Sequence, residues 1–222
     1  FRSGSPDIVY IARGSTTTGD GRTTGVVGIA AIKLTAYGLS DYTDTGLLVS
    51  GGSPANFGFI QAIFYEPTLD KVWVLDGSGA TARVWYFDGG AVGGSPSGGG
   101  TSATATATGI THVFQASNTS SLGGSGRGLA VRVNGSTVTV ALGMGSHLEV
   151  WESTTGLTGS YSLKFESSSD LDGSGTLSGT QGSSAIRDVS FDENGDIWVP
   201  NTGGGNRSIF RFSFTSSGSG VL

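Results

Sequence analysis

The chain predicts an all-β protein built from repeated four-stranded antiparallel units, and three observations carry that expectation. Apolar residues alternate over windows of five to eight residues throughout, and no window sustains an apolar period of 3.6. Two stretches follow one template, Ile60 to Glu66 with Val72-Trp73-Val74 and Ile186 to Asp192 with Ile197-Trp198-Val199: apolar strand, acidic residue, tight turn, tryptophan strand. Taking Tyr10, Trp73, Thr139 and Trp198 as equivalent gives spacings of 63, 66 and 59 residues, and self-similarity at such a period signals a repeat architecture.

With the strands of a unit called a to d, each repeat reads in order. The first supplies b (8–12), c (27–34) and d (45–50). The second supplies a at Ile60–Glu66, b around Trp73, c at Arg83–Phe87 and d at Thr111–Gln115. A degenerate third copy runs Leu129 to Asn134, turns at Gly135-Ser136 and resumes as Val138-Thr139-Val140. Its c strand is His147–Trp151 and its d strand Tyr161–Phe165. The last repeat supplies a, b and c, the last at Ser208–Phe214. Residues 215–222 are too short and glycine-rich to supply both the missing d strand and the missing first a strand. Either the series of repeats closes imperfectly, or the chain is part of a longer one, or a second copy supplies the unpaired edges, and the last two are preferred over the first. The expected organisation is one domain over 1–222, with repeats near 1–55, 56–118, 119–168 and 182–222 and linker-like segments at 89–109 and 168–182. Within the first linker, Gly-Gly-Ser-Pro-Ser-Gly-Gly-Gly has flexible composition, and the alternating Thr and Ala of 101–108 read as an extended surface loop.

Composition narrows the function classes. Forty glycines would suit disorder, but 36% hydrophobic residues with four Trp and eleven Phe do not, so the glycines read as turns between short strands. Charged residues make up 13% and the net charge is −5, which gives nothing to attract phosphate backbones or anionic lipid. No nucleic-acid partner is expected. No apolar run approaches the length of a membrane-spanning helix, so no membrane insertion is expected either. The absence of cysteine removes disulfides, thiolate metal sites and a cysteine nucleophile. Position 1 is Phe rather than Met with no signal peptide before it, which reads as a processed or partial product. Few lysines and a Ser/Thr/Gly-rich surface lean towards an extracellular or virion-surface location.

The run Ile186-Arg187-Asp188-Val189-Ser190-Phe191-Asp192-Glu193-Asn194-Gly195-Asp196-Ile197-Trp198-Val199-Pro200-Asn201 resembles the NHL and gluconolactonase-like group of β-propellers. In that group a strand ends in Asp, turns through Asn-Gly and re-enters as an Ile-Trp/Tyr-Val strand, and Asn-Gly readily adopts the positive φ a tight hairpin requires. The resemblance implies four-stranded blades packed radially. It also implies a metal-dependent hydrolase or lactonase with ligands lining a central channel, where Asp188 and Asn201 would stand with Arg187 beside them. Burial of Asp188 as an acceptor that orders its strand is the alternative.

Asp170-Leu171-Asp172-Gly173-Ser174-Gly175-Thr176-Leu177-Ser178-Gly179-Thr180-Gln181 resembles an EF-hand-type calcium loop. Alternate oxygens at Asp170, Asp172, Ser174 and Ser178 would converge on a hard cation, with the Thr176 carbonyl added. Gln181 stands where the bidentate Glu belongs, so weak calcium binding is the expectation and a solvated acidic turn the alternative. Asp192 to Asp196 reads as a hairpin turn. His112 and His147 sit in predicted strands outside any His-Glu-x-x-His pattern, and neither a Gly-x-Ser-x-Gly elbow nor a phosphate-binding loop occurs.

Of the tryptophans, Trp73 and Trp198 read as filling the space between blades, while Trp85 and Trp151, in the outer half of a blade, read as ligand-facing. The resulting functional expectation is a non-enzymatic, secreted or surface-exposed module that recognises a protein or glycan through blade loops. Two alternatives accompany it: the metal-dependent hydrolase or lactonase, and a structural subunit of an extracellular or virion assembly.

Overall fold

The computed structural model describes residues 3, 7–13, 28–34, 42–50, 60–77, 82–89, 110–116, 127–145, 147–167, 186–201, 208–214 and 220–221. They contain fifteen strands in four antiparallel sheets. The first is three-stranded, β1 (Asp7–Arg13), β2 (Gly28–Leu34) and β3 (Tyr42–Ser50). The second is β4 (Ile60–Glu66), β5 (Lys71–Asp76), β6 (Arg83–Asp88) and β7 (Thr111–Gln115). The third is β8 (Gly128–Asn134), β9 (Thr137–Gly143), β10 (Leu148–Ser153) and β11 (Ser162–Glu166). The last is β12 (Ser190–Phe191), β13 (Ile197–Asn201), β14 (Ser208–Phe214) and β15 (Gly220–Val221). Each sheet joins sequence neighbours in order. The chain divides into two compact units, Phe1–Asp76 with Trp85–His112, and Gly77–Val84 with Val113–Leu222.

In the first unit the two-residue period of strands sets the core. Ile8 and Tyr10 on one face of β1 meet Val72 and Val74 on one face of β5, together with Ile29, Ile60 and Phe87. Tyr10 stacks on Tyr65 at 6.3 Å and meets Phe87 edge-on at 6.1 Å. Trp73 points to the opposite face of β5, is fully buried and packs on Tyr86 at 5.4 Å. Both faces of β5 are therefore covered. The β4–β5 turn is held by the acid that ends β4: Glu66 accepts hydrogen bonds from the backbone N–H of Thr68 (3.0 Å) and Leu69 (2.7 Å).

In the second unit every residue of β9 after Thr137 is buried, the pattern of a strand covered on both sides. The β8–β9 turn places Gly135 at φ 59°, a left-handed conformation that glycine adopts without a Cβ penalty. A bulge between Val150 and Trp151 shifts the β10–β11 register. The last sheet differs, because its central strand alternates. Ile197, Val199 and Phe212 are buried, with Phe212 against Phe165 at 5.9 Å, whereas Trp198, Ile209 and Arg211 are exposed.

Three expectations are corrected. The series does not stop after a c strand, since Gly220–Val221 pairs with Ser213–Phe214 as a fourth, two-residue strand. The strand expected over Ile186–Asp192 contracts to Ser190–Phe191, because Asp188 turns its carboxylate back onto the N–H of Val189 at 2.9 Å. Trp198 does not fill a core as Trp73 does.

Candidate functional site

In an antiparallel meander the start of the first strand, the end of the second, the start of the third and the end of the fourth share one edge. In the third sheet that edge carries Arg127, the connection Gly143 to His147, Glu149 and Glu166; in the last sheet it carries Arg187, Asp188 and Asn201. Backbone hydrogen bonds order the first edge, from Arg127 N–H to the Gly143 carbonyl (2.7 Å) and from Met144 N–H to that of His147 (2.9 Å), and one joins it to the second, from Ile186 N–H to the Gly145 carbonyl (2.7 Å). Gly128 lies against the backbone of Asp188 and Val189, and a Cβ there would sit 2.6 Å from the Asp188 carbonyl carbon. Only glycine permits that approach.

Beneath this edge lies a polar network that the sequence reading missed. His147, 2% exposed, places Nε2 3.1 Å from Glu149 Oε1 and 3.9 Å from Glu166 Oε1. Glu149, fully buried, also accepts from Trp151 Nε1 at 2.7 Å. The two contacts occupy both carboxylate oxygens of Glu149. His147 Nδ1 is buried with no hydrogen-bond partner. The 147, 149, 151 spacing was the available signal. Glu166 could not be added from sequence, since it faces Glu149 only through the β10–β11 register.

The expected site residues fall as follows. Arg187 and Asp188 are both exposed and adjacent at the shared edge, and Asn201 ends β13 at the same edge, paired with Ser208. Trp151 is half-buried, stacked on Phe114 at 4.6 Å, with its indole N–H engaged by Glu149. Trp85, in the first unit, is half-buried at the margin of that unit's core and meets His112 edge-on at 4.9 Å. The calcium-loop residues Asp170, Asp172, Ser174, Thr176, Ser178 and Gln181 lie outside the described residues.

At the opposite edge the acids of the template act as turn formers. Asp192 Oδ1 accepts from the N–H of Asn194 and of Asp196, each at 2.9 Å, and Oδ2 accepts from Trp198 Nε1 at 3.0 Å. The Trp198 hydrogen bond, then the two backbone N–H groups and the positive charge of Arg211, hold the Asp192 carboxyl below its ordinary value. Arg211 in turn pairs with Asp196 and lies over the Trp198 ring at 5.7 Å.

No family model and no curated protein matches the chain. Among solved structures it is similar to a protein from Lactobacillus plantarum, at 13% identity with a TM-score of 0.59, over 97% of this chain and 51% of that one. The fold is all-β, a series of antiparallel sheets of which three are four-stranded. Two further similar structures are regucalcin, a calcium-binding protein from Agrobacterium tumefaciens (16% identity, TM-score 0.47, 95% of this chain and 59% of that one), and a thermostable family-43 glycoside hydrolase (12%, 0.47, 96% and 72%). The chain spans about half the length of the Lactobacillus protein.

The expectation of a non-enzymatic binding module is corrected: the similar solved structures include a glycoside hydrolase and a calcium-binding regucalcin, and that expectation is withdrawn. Among the described residues no group of three or more His, Cys, Asp or Glu is placed to hold a metal ion.

Proposed function

We propose that the chain is a hydrolase-type propeller acting on an ester or lactone carbonyl, with Asp188 as general base and Arg187 as the group facing the developing oxyanion. The supporting observation is their joint exposure at an edge where Gly128 packs backbone to backbone against Asp188. Carbonyl hydrolysis needs one base and one positive or hydrogen-bonding group at the oxyanion. Glycoside hydrolysis needs two carboxylates flanking the bond. Arg187 and Asp188 fit the first requirement.

In this reading Asp188 takes a proton from water as the water oxygen adds to the carbonyl carbon. The guanidinium of Arg187 faces the oxyanion. Collapse expels the alkoxide, which recovers the proton from Asp188; a lactone opens to its hydroxy acid. The described residues do not form a metal-ligand set at this edge, so no step is assigned to a metal.

Initial rates on a panel of aryl esters and lactones, with and without added calcium, test the proposal. Asp188→Asn is expected to lower kcat about 10²–10⁴-fold, the usual contribution of a positioned general base, with the melting temperature unchanged. Failure to turn over any member of the panel, or an Asp188→Asn variant as fast as the parent, refutes it.

A further inference from the structure

The exposed residues Arg187 and Asp188 are strung between two buried ones, Ile186 and Val189. Both anchors rest on one glycine. A Cβ at Gly143 would lie 2.7 Å from Ile186 Cγ2 and 3.2 Å from Val189 Cγ1, so the two side chains close over the place where a side chain would stand. Ile186 has a further tie, its N–H to the Gly145 carbonyl at 2.7 Å. The aim of that carbonyl depends on the turn that carries it. Gly145 stands at φ 78°, in the left-handed region where glycine has no Cβ to restrict it, so the flanks of the turn must fix its peptide planes. One flank is Met144, fully buried, whose N–H donates to the His147 carbonyl at 2.9 Å. The other flank is His147 itself.

The His147 ring is buried, and its surroundings are specific. Two residues on, on the same face of β10, Glu149 Oε1 lies 3.1 Å from His147 Nε2, and Glu166 Oε1 of β11 lies 3.9 Å from it. The next amide is tied as well, Leu148 N–H to Ser167 Oγ at 2.9 Å. Apolar side chains of similar volume often fill such a place with no loss of stability. What they lack is direction, which a satisfied polar contact supplies. The contact to Glu149 sets the ring, the ring sets the backbone at 147, and that backbone closes the turn that holds Ile186.

We infer that the buried His147–Glu149 pair is the positioning element for Arg187 and Asp188, acting through the Gly145 carbonyl and the Ile186 N–H. His147 is a positioning residue: it fixes where the proposed base stands and acts only through the backbone. Its effect on rate rests on the hydrolase reading, whereas its effect on the 186–189 backbone stands without it.

The test compares His147→Leu, which removes the contact, with His147→Gln, whose amide reaches towards the same carboxylate oxygen. Val140→Ala, a cavity in the buried middle of β9, supplies a loss of global stability away from the turn. His147→Asn, polar but too short to make the contact, stands in for His147→Leu if the latter does not fold. Two readouts are taken on each: amide hydrogen exchange at Ile186 relative to Ala141, and kcat and KM on an ester or lactone that the parent turns over. In His147→Leu the Ile186 amide is expected to exchange about tenfold faster, the usual worth of one hydrogen bond. With it kcat should fall about 10–10²-fold at little change in KM, since a misplacement of about 1 Å costs that much. His147→Gln should restore most of both, and Val140→Ala should move neither. Parent-like exchange at Ile186 in His147→Leu overturns the inference, as does a His147→Gln no better than His147→Leu. A parent that hydrolyses no ester or lactone refutes the hydrolase reading instead, and exchange at Ile186 then decides the positioning role alone.

Discussion

Gly128→Ala probes the junction on which the proposed site stands. The added Cβ would lie 2.6 Å from the Asp188 carbonyl carbon, 2.7 Å from Val189 N and 2.8 Å from Asp188 Cα, whereas ordinary contact begins at 3.4 Å. All three neighbours are backbone, so no side chain can swing aside. Relief requires the start of β8 and the 188–189 segment to part. That motion strains the Arg127 N–H bond to Gly143 and the Gly128–Gly143 pairing. Overpacking of this kind costs about 1–3 kcal/mol, which for a chain of this size lowers the melting temperature by about 2–12 °C. Thermal and urea unfolding measure it, with Gly135→Ala as the comparison. Gly135 has nothing within 4 Å of a Cβ, and its φ of 59° alone sets a cost of about 1 kcal/mol. A Gly128→Ala variant as stable as the parent refutes the backbone approach, and with it the fixed position of Asp188.

Three further outcomes are expected. Trp73→Ala should cost about 3–5 kcal/mol and Trp198→Ala less than about 2 kcal/mol, because only Trp73 is fully buried; equal losses in urea titrations contradict the difference between the sheets. The Asp192 carboxyl titrates below its ordinary 3.8 in the folded chain, chiefly through the Trp198 hydrogen bond. Its stabilising contribution is thus complete above pH 3.8 and lost as pH falls through the lowered folded value. The melting-temperature gap between parent and Asp192→Asn should narrow in acid, and a gap constant with pH contradicts this. Glu149→Gln, which offers an amide N–H₂ towards one of the two groups that contact the carboxylate, should cost about 2–3 kcal/mol in chemical denaturation; a neutral substitution would mean that the two contacts do not hold the buried carboxylate in place.

The strands were legible where alternation and turn residues coincide. Glu66 and Asp192 at the ends of template strands announced their hairpins, and the structure gives the reason: each carboxylate accepts the N–H groups that the turn would otherwise leave unpaired. The fate of the two template tryptophans was not legible. Val-Trp-Val and Ile-Trp-Val are the same local message, and what covers the indole comes from residues distant in sequence. Arg187 and Asp188 could be named from the motif around them. Their fixation could not, because it depends on Gly128, some sixty positions earlier. The His147 network was half visible, three alternate residues on one strand, with its fourth member set by a register that includes a bulge.

The bond from Ile186 N–H to the Gly145 carbonyl has a consequence for the order of assembly. The third sheet is a meander whose partners are close in sequence, so its loops close at little entropic cost. Ile186, at the entry to the last sheet, by contrast finds its backbone acceptor in the connection that exists only once β9 and β10 have paired. Folding of the second unit should then run from the third sheet to the last. In refolding followed at single indoles, Trp151 should reach its native signal no later than Trp198, and Gly145 would be the point at which one repeat becomes the template for the next.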